Sequence, residues 1–178
     1  MCSYKNCLQL AFGVVLGVLQ GITHAADYVD VLDLPVRVSP LAVNSPLSGM
    51  ARAGERVIAV GQRGHILFSD DSGQHWQQAA VPASADLTAV SFPTTTQGWA
   101  VGNDGVVLHS NDAGATWRKQ LDGREIGALL VKHYQALARA EPDNEQWPLL
   151  VAEGERLVAQ GADKPLLDVW FALSLIHI

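Results

Sequence analysis

The middle of the chain alternates short apolar runs with polar turns that are rich in glycine. The runs "LTAVSF" (87–92), "GWAV" (98–101) and "VVLHS" (106–110) are β-prone, and "TWRKQ" (116–120) follows a polar turn. Short runs bounded by Gly, Asn, Asp and Ser are typical of antiparallel strands. The pattern predicts four consecutive strands, with "GNDG" (102–105) as a tight hairpin whose glycines supply positive φ.

The same order of runs and turns occurs twice. "VIAVGQRGHILFSDDSGQHW" (57–76) aligns without gaps with "GWAVGNDGVVLHSNDAGATW" (98–117), at a constant spacing of 41 residues. Four antiparallel strands that repeat every 40 to 50 residues or so are typical of β-propeller blades, whereas a β-solenoid has shorter repeats. The sequence therefore predicts an all-β propeller fragment with one blade at 47–86 and a second at 87–120.

Each unit contains an Asp-box, the pattern Ser-x-Asp-x-Gly-x-x-Trp. Its residues are Ser69, Asp71, Gly73 and Trp76 in the first unit, and Ser110, Asp112, Gly114, Thr116 and Trp117 in the second. Short polar side chains stabilise turns by bonding to nearby backbone N–H groups, and glycine accepts a backbone conformation that a side chain opposes. The tryptophan is expected to pack against the neighbouring sheet. Because every member has a structural task, the motif indicates a fold rather than a chemistry.

The N-terminal residues have the features of a signal peptide, predicted to span 1–25. Lys5 precedes the apolar stretch "LQLAFGVVLGVLQGI" (8–22), and "THA" follows it as a small-residue cleavage site. This stretch is shorter than the roughly 20 residues that a spanning helix needs. Both cysteines, Cys2 and Cys7, precede it, so the mature chain is expected to lack disulfides, thiol chemistry, cysteine metal sites and a lipid anchor.

Residues 26–46 form a lead segment, and residues 121–165 are predicted to be a helical insertion. One apolar face at helical spacing comprises Ile126, Leu129, Leu130, Tyr134 and Leu137. Asp122 and Glu125 can form a capping box, and Pro142 marks the end of this helix. A second helix, "LLVAEGERLVAQG" (149–161), is expected to end at Gly161. The pair is expected to lie over one propeller face, as a packed decoration or as a partner-binding arm.

The end of the chain departs from the repeat. "LLDVWF" (166–171) starts like the second unit, but no "GWAVG"-like strand and no further Asp-box follow it. "LSLIHI" (173–178) instead looks like translated sequencing-adaptor sequence. Residues 166–178 are thus expected to be the start of a third blade that continues into a non-native tail. Two blades cannot close a propeller ring, so we expect a truncated fragment.

The spacing of Gly, Ser, Asp and Trp in the two units, at 59–76 and 100–117, resembles that of Asp-box propellers, also called bacterial neuraminidase repeat propellers. Within them the chain is most similar to the photosystem II stability/assembly factor family of the hypothetical chloroplast reading frame forty-eight type. The resemblance covers about residues 47 to 120 and the "LLDVWF" segment. It implies an exported, seven-bladed, non-enzymatic scaffold with a protein partner, which in photosynthetic organisms assists photosystem II assembly. It implies a periplasmic location, or the thylakoid lumen in a photosynthetic source.

Catalytic chemistry is not visible in the sequence. A sialidase needs an early arginine motif and a Tyr–Glu pair on a blade, and neither is present; the candidate carboxylates are Glu55, Asp104 and Glu125. The histidines do not repeat at equivalent positions and have no metal-binding spacing. We therefore expect no enzyme activity, cofactor or metal. The net charge of −6, with scattered Lys and Arg, argues against nucleic acid as a partner.

Arg63 is the residue that we single out for a partner contact. It occupies the tip of the predicted hairpin "GQRG" (61–64), and binding residues collect on loop tips of rigid scaffolds. A solvated surface charge is the alternative interpretation. For the whole protein the leading hypothesis is an exported scaffold that binds a protein partner, such as a membrane-protein complex. The alternatives are a sialidase-like glycoside hydrolase and a periplasmic accessory to a membrane transport system.

Overall fold

The computed structural model describes residues 28–171. The predicted signal peptide, both cysteines and the chain after Phe171 lie outside the described residues. Within residues 28–171, no helix combines the length and the apolar character that a membrane span requires.

Two four-stranded antiparallel sheets follow one another along the chain. The first contains β1 (Leu47–Ala53), β2 (Arg56–Gly61), β3 (Ile66–Ser69) and β4 (Gln77–Gln78). The second contains β5 (Leu87–Ser91), β6 (Gly98–Gly102), β7 (Val107–Ser110) and β8 (Arg118–Leu121). In both sheets each strand pairs with the next strand in sequence. This arrangement, together with the helices described below, confirms the predicted fold class, a propeller fragment with a helical segment.

The sequence repeat is also a repeat of strand register. Ile58 pairs with Phe68 between β2 and β3, and Trp99 pairs with His109 at the equivalent position between β6 and β7. The first strand of each sheet has an irregularity near its start, after Leu47 in one and after Leu87 in the other. The same sequence pattern therefore produces the same strand order twice, with the same pairing between the second and third strands. The outer strands differ, because β8 is longer than β4 and its pairing with β7 has a further irregularity between Val107 and Leu108.

The first glycine of the hairpin has a different task from the predicted one, whereas the second has the predicted positive φ. Gly102 is extended, with φ of −172°, and a Cβ at this position would lie 2.1 Å from the carbonyl oxygen of Asp86. The positive φ values fall instead on Asp104 (57°) and Gly105 (65°). Gly61 is equivalent to Gly102 and is equally crowded. The first glycine of each hairpin is thus needed for close backbone approach, and a non-glycine residue takes the left-handed position beside the second.

The apolar core lies between the two sheets. A Cβ at Gly114 would lie 2.7 Å from Cδ1 of Ile58, so the second Asp-box turn lies directly on the first sheet. Trp117 is 7% exposed, and the ring of Phe92 meets it edge to face at 5.9 Å. The backbone N–H of Trp117 donates to the carbonyl oxygen of Ala80, and this hydrogen bond joins the two blades.

Two helices follow the second sheet, α1 (Gly123–Ala140) and α2 (Gln146–Gln160). The carboxylate of Asp122 caps α1 by accepting a hydrogen bond from the N–H of Arg124. The first helix ends just before Pro142, because proline cannot continue a helix. The second ends at Gly161, as the sequence predicts, but begins three residues before the predicted Leu149.

The two helices cross where each has a glycine. A Cβ at Gly127 would lie 2.5 Å from the backbone nitrogen of Val158, and one at Gly154 would lie 3.0 Å from that of Val131. The close crossing leaves Leu129 52% exposed, so one member of the predicted apolar face is outside the contact. Glycine contacts, as well as an apolar stripe, therefore hold the helical hairpin together.

The helical hairpin is attached to the second blade at one point. Gly123, at its start, packs against Gly105 of the β6–β7 turn and against Ala162, which follows its end. Beyond it, the N–H of Leu166 donates to the carbonyl oxygen of Gly102 (2.9 Å), and the Phe171 ring lies 4.6 Å from that of Trp99. That residues 166–171 begin a third blade stays a prediction.

A network of ion pairs joins the lead segment to β8 and α1. Arg124 pairs with both Asp33 (2.7 Å) and Asp122 (2.6 Å), and Lys119 pairs with the same two carboxylates at 2.9 Å. Asp122 is 2% exposed. The hydrogen bond from Arg124 lowers the pKa of Asp122 to about 2, against the opposing effect of burial and with help from Lys119. Lys119 also donates to the carbonyl oxygen of Leu32, so the lead segment is fixed to the second blade.

Truncation of Trp117 tests the contact between the blades. We expect Trp117→Ala to lower the free energy of unfolding by roughly 3–5 kcal/mol, because a large buried ring is removed. Trp76→Ala is the matched control; this ring is only partly buried, and no sheet precedes it within residues 28–171. Denaturant unfolding followed by circular dichroism measures both losses. Equal losses at the two positions would contradict a special role for the inter-blade contact.

Acid titration tests the ion-pair network. A carboxyl group with a lowered pKa stabilises the fold above its unfolded pKa, and this contribution disappears as pH falls through the folded pKa. For Asp122 the window runs from 3.8 down to about 2, and the loss should be about 2 kcal/mol. Asp122→Asn should therefore be less stable at neutral pH and show a shallower decline in this window. If the stability of Asp122→Asn declined as steeply as that of the wild type in this window, the carboxylate of Asp122 would not be the source of the acid sensitivity.

Candidate functional site

A groove of about 680 Å³ lies between the lead segment and the turn that joins β2 to β3. Its volume is within the range of ordinary ligand pockets, about 300–1,000 Å³. Apolar side chains of the lead segment form much of its lining, and two arginines stand beside them. The lining includes the apolar residues Val31, Leu34, Val36 and Leu41 and the arginines Arg37 and Arg63.

Gln78 of β4 holds one wall of the groove in place. Its amide nitrogen donates to the carbonyl oxygen of Arg37 (3.0 Å), and its amide oxygen accepts from the N–H of Ser39 (2.9 Å). The same nitrogen lies 3.0 Å from Nδ1 of His65. One glutamine side chain thus connects the lead segment, the outer strand and the end of the β2–β3 turn.

The link between the blades holds the other part of that wall. Ser84 donates its hydroxyl to the carbonyl oxygen of Leu34 (2.6 Å), and its N–H donates to that of Val31 (2.7 Å). The N–H of Val36 donates to the carbonyl oxygen of Val81 (2.9 Å). Since these bonds satisfy backbone groups of the lead segment, it has a defined path although its described residues, 28–46, contain no strand.

Arg63 lies at the tip of the turn, as the sequence predicts. Its backbone is left-handed, with φ of 55°, and its N–H donates to the carboxylate of Asp86 at 2.7 Å. The next residue, Gly64, is also left-handed, and a Cβ there would lie 2.3 Å from the carbonyl oxygen of Ala83. The backbone of the tip is thus held against the inter-blade link, while the guanidinium remains exposed at the groove.

The groove is cationic although the chain is acidic. Neither Arg37 nor Arg63 has an ion-pair partner among residues 28–171, and no aspartate or glutamate lines the groove. Burial, together with the charge of Arg63, lowers the pKa of His65. Because an amide N–H of Gln78 points at Nδ1, the proton of neutral His65 resides on Nε2. The groove therefore offers two guanidinium groups and a neutral N–H donor.

The second Asp-box turn contains a closed set of hydrogen bonds. Ser110 Oγ donates to Asp112 (2.8 Å) and accepts from the N–H of Gly114 (2.9 Å). Thr116 donates to Asp112 through its N–H (2.9 Å) and its hydroxyl (2.5 Å). The indole N–H of Trp117 donates to the carbonyl oxygen of Gly114 at 3.0 Å. The polar atoms of the motif are bonded to one another and to their own turn.

The first Asp-box turn repeats this arrangement. Ser69 Oγ donates to Asp71 (2.8 Å) and accepts from the N–H of Gly73 (2.8 Å). The N–H of His75 donates to Asp71 (2.8 Å), and the indole of Trp76 donates to the carbonyl oxygen of Gly73 (3.0 Å). In this turn the histidine replaces threonine, and its ring also approaches the aspartate, at 2.6 Å.

The Asp-box carboxylates are held in their charged form. The N–H and ring of His75, with the hydroxyl of Ser69, keep the pKa of Asp71 well below its usual range. Burial would raise the pKa of Asp112, but the hydrogen bonds from Thr116 and Ser110 outweigh it and lower the pKa. Neither carboxylate therefore resembles a general acid, which needs a raised pKa.

The other predicted carboxylates are not brought together. Glu55 and Glu125 are exposed, on the β1–β2 turn and the first turn of α1. Asp104 lines a cavity of about 370 Å³ with Asp30 and Asp163. Burial and the charges of Asp30 and Asp86 raise the pKa of Asp104. In the described part of the chain, no three His, Cys, Asp or Glu side chains are placed to share a metal ion.

The sequence singles out Arg63, which lines the groove, but none of the other lining residues. Arg37 and Gln78 have no motif around them, and the bonds of Gln78 to the lead segment span about 40 residues of chain. The local sequence signal is the apolar pair Leu34 and Val36 on either side of Pro35, within the lead segment. The contacts that make the groove are set by tertiary packing.

Three solved structures show partial similarity to this chain. YCF48 bound to a D1 peptide is 22% identical, covering 49% of this chain and 30% of its own, with a TM-score of 0.41. YCF48 from Cyanidioschyzon merolae is 26% identical, covering 43% of this chain and 27% of its own, with a TM-score of 0.39. An ancestral GH74 enzyme is 19% identical, covering 42% and 13%, with a TM-score of 0.35. The chain thus spans less than a third of the length of each of these structures.

No protein with a curated description matches the sequence. The family model that matches is described as photosynthesis system II assembly factor YCF48, and it matches residues 31–132. These residues include both sheets, both Asp-box turns, most of the lead segment and the start of α1. Because the match covers more than half of the sequence, the chain belongs to the photosynthesis system II assembly factor YCF48 family.

Proposed function

We propose that this chain is part of an exported, non-catalytic β-propeller scaffold that binds protein partners as an assembly or accessory factor. The observation that carries the proposal is membership of the YCF48 family over residues 31–132. One related structure is that of YCF48 with a bound D1 peptide, and we propose the same class of partner, a peptide segment, for this chain. The signal-like N-terminus supports export to the periplasm, or to the thylakoid lumen of a photosynthetic cell.

A binding role agrees with the chemistry of the described surface. The groove beside Arg63 combines apolar side chains with charged and neutral donors, the composition of a recognition site. The polar groups of the Asp-box turns are engaged in their own turns. We propose that these residues, Ser69 to Trp76 and Ser110 to Trp117, serve the fold, and that Arg63 contacts the partner.

The opposing hypothesis is a glycoside hydrolase. Such enzymes use two carboxyl groups, about 5–10 Å apart, and one of them acts as a general acid with a raised pKa. Asp104 has a raised pKa and lies beside other carboxylates in one cavity. It is therefore the residue on which a catalytic alternative has to be tested.

The first test is enzymatic. Purified mature protein should not hydrolyse fluorogenic sialosides or other aryl glycosides at a rate above that of a buffer control. Asp104→Asn supplies the matched variant, since asparagine also tolerates the left-handed backbone of this position. If the wild type hydrolysed such a substrate and Asp104→Asn did not, the scaffold proposal would be wrong and the glycoside hydrolase hypothesis would take its place.

The second test is capture of a partner. Immobilised mature protein should retain a membrane-protein complex from detergent-solubilised membranes of the source organism, identified by mass spectrometry. Overlapping synthetic peptides that tile the recovered subunits should then compete for the protein in solution. A propeller of unrelated sequence but similar charge is the control for nonspecific adsorption. Recovery of the same proteins on both columns would contradict a scaffold function.

A further inference from the structure

We propose that the groove binds a peptide segment carrying carboxylate and apolar side chains, with Arg37 and Arg63 pairing to the carboxylates. The inference rests on the proposed scaffold function and adds the chemistry and the position of the partner. The lead segment supplies the apolar surface through Leu34, Val36 and Leu41.

The charge of the groove points to an anionic partner. Two arginines near the core are neutralised within the chain, Arg56 by Asp70 and Arg124 by Asp33. Within residues 28–171, Arg37 and Arg63 have no such partner, although the chain as a whole carries a charge of −6. Guanidinium groups bind carboxylates with two parallel hydrogen bonds, which favours this pairing over neutral groups.

The apolar part of the groove indicates that the partner has apolar side chains as well as carboxylates. Leu41 is 68% exposed and Leu34 is 39% exposed, although the polar bonds of Gln78 and Ser84 hold this wall rigidly. A pre-ordered apolar wall loses little conformational entropy when a partner covers it. A peptide that places leucine-like and carboxylate side chains alternately matches both parts of the lining.

The internal repeat shows that the fold does not require arginine at position 63. Its equivalent in the second blade is Asp104, and the two residues share one backbone conformation, with φ of 55° and 57°. Aspartate is among the residues best tolerated in this left-handed region, whereas a long side chain has no such advantage. The charge of Arg63 is thus independent of the turn, and the chain itself supplies a substitution, Arg63→Asp, that preserves the turn.

The experiment measures binding of a fluorescein-labelled peptide, (Leu-Glu)4, by fluorescence anisotropy at two salt concentrations. The comparison peptide, (Leu-Gln)4, has the same length without the charges. We expect the charged peptide to bind at least about tenfold more tightly at low salt, and Arg63→Asp and Arg37→Asp each to weaken it by about tenfold. Leu41→Ser, at an exposed position, should weaken both peptides severalfold.

Arg139→Glu is the matched control, because this exposed arginine of α1 also lacks an ion-pair partner in the described chain and does not line the groove. It should change the affinity by less than about twofold. Circular dichroism melts of all variants check that the fold is unchanged. Equal affinity for the two peptides, or an equal loss in Arg63→Asp and Arg139→Glu, would overturn the inference.

The two proposals fail in different ways. If wild-type protein captures its membrane complex and the Arg37→Asp/Arg63→Asp double variant captures it equally well, the scaffold function stands and the groove is refuted as its site. If wild type binds (Leu-Glu)4 in the groove but captures nothing from membranes, the groove stands and the assembly function is refuted. Loss of both activities in the double variant alone supports both proposals.

Discussion

The contact between the second Asp-box turn and the first sheet is the constraint on which the rest of the structure depends. Gly114 lies against Ile58 with no room for a side chain, and Trp117 closes the contact from the side. Because each sheet has one face that only its neighbour can cover, a blade is stable only beside another blade. The spacing of 41 residues reflects this requirement, since each repeat must bring one turn to the sheet before it.

The same constraint separates the residues that build the fold from those that are free for function. Asp-box side chains bond within their own turn, and in the second box Gly114 and Trp117 also pack on the first sheet, so changing these residues alters stability first. The β2–β3 and β6–β7 turns lie at the opposite ends of the strands and carry Arg63 and Asp104 in one backbone conformation. Opposite charges at equivalent positions indicate that these tips are not specified by the fold.

The lead segment and the helical hairpin each pack beside one of those tips, and the lead segment is also bonded to β4 and β8. The lead segment forms the groove at the first tip, and the hairpin packs on the second through Gly105 and Gly123. Asp33, paired with Arg124, connects the two additions. The regular blades thus act as a platform, and the irregular segments give this family member its particular surface.

The sequence by itself determined the blades, the family and the two helices, because each depends on interactions between residues close in the chain. Asp-box bonds join residues two to four apart, hairpins join adjacent strands, and the α1 cap joins Asp122 to Arg124. Only the tertiary structure decided the groove, since Gln78 reaches Arg37 across 41 residues and Arg124 reaches Asp33 across 91. The requirement for glycine at position 102 is also visible only in the tertiary structure, because a Cβ there would collide with the backbone of Asp86 in the preceding link. A local sequence pattern does not indicate which distant segment will pack against a turn, so a groove formed by such packing is seen only in the assembled structure.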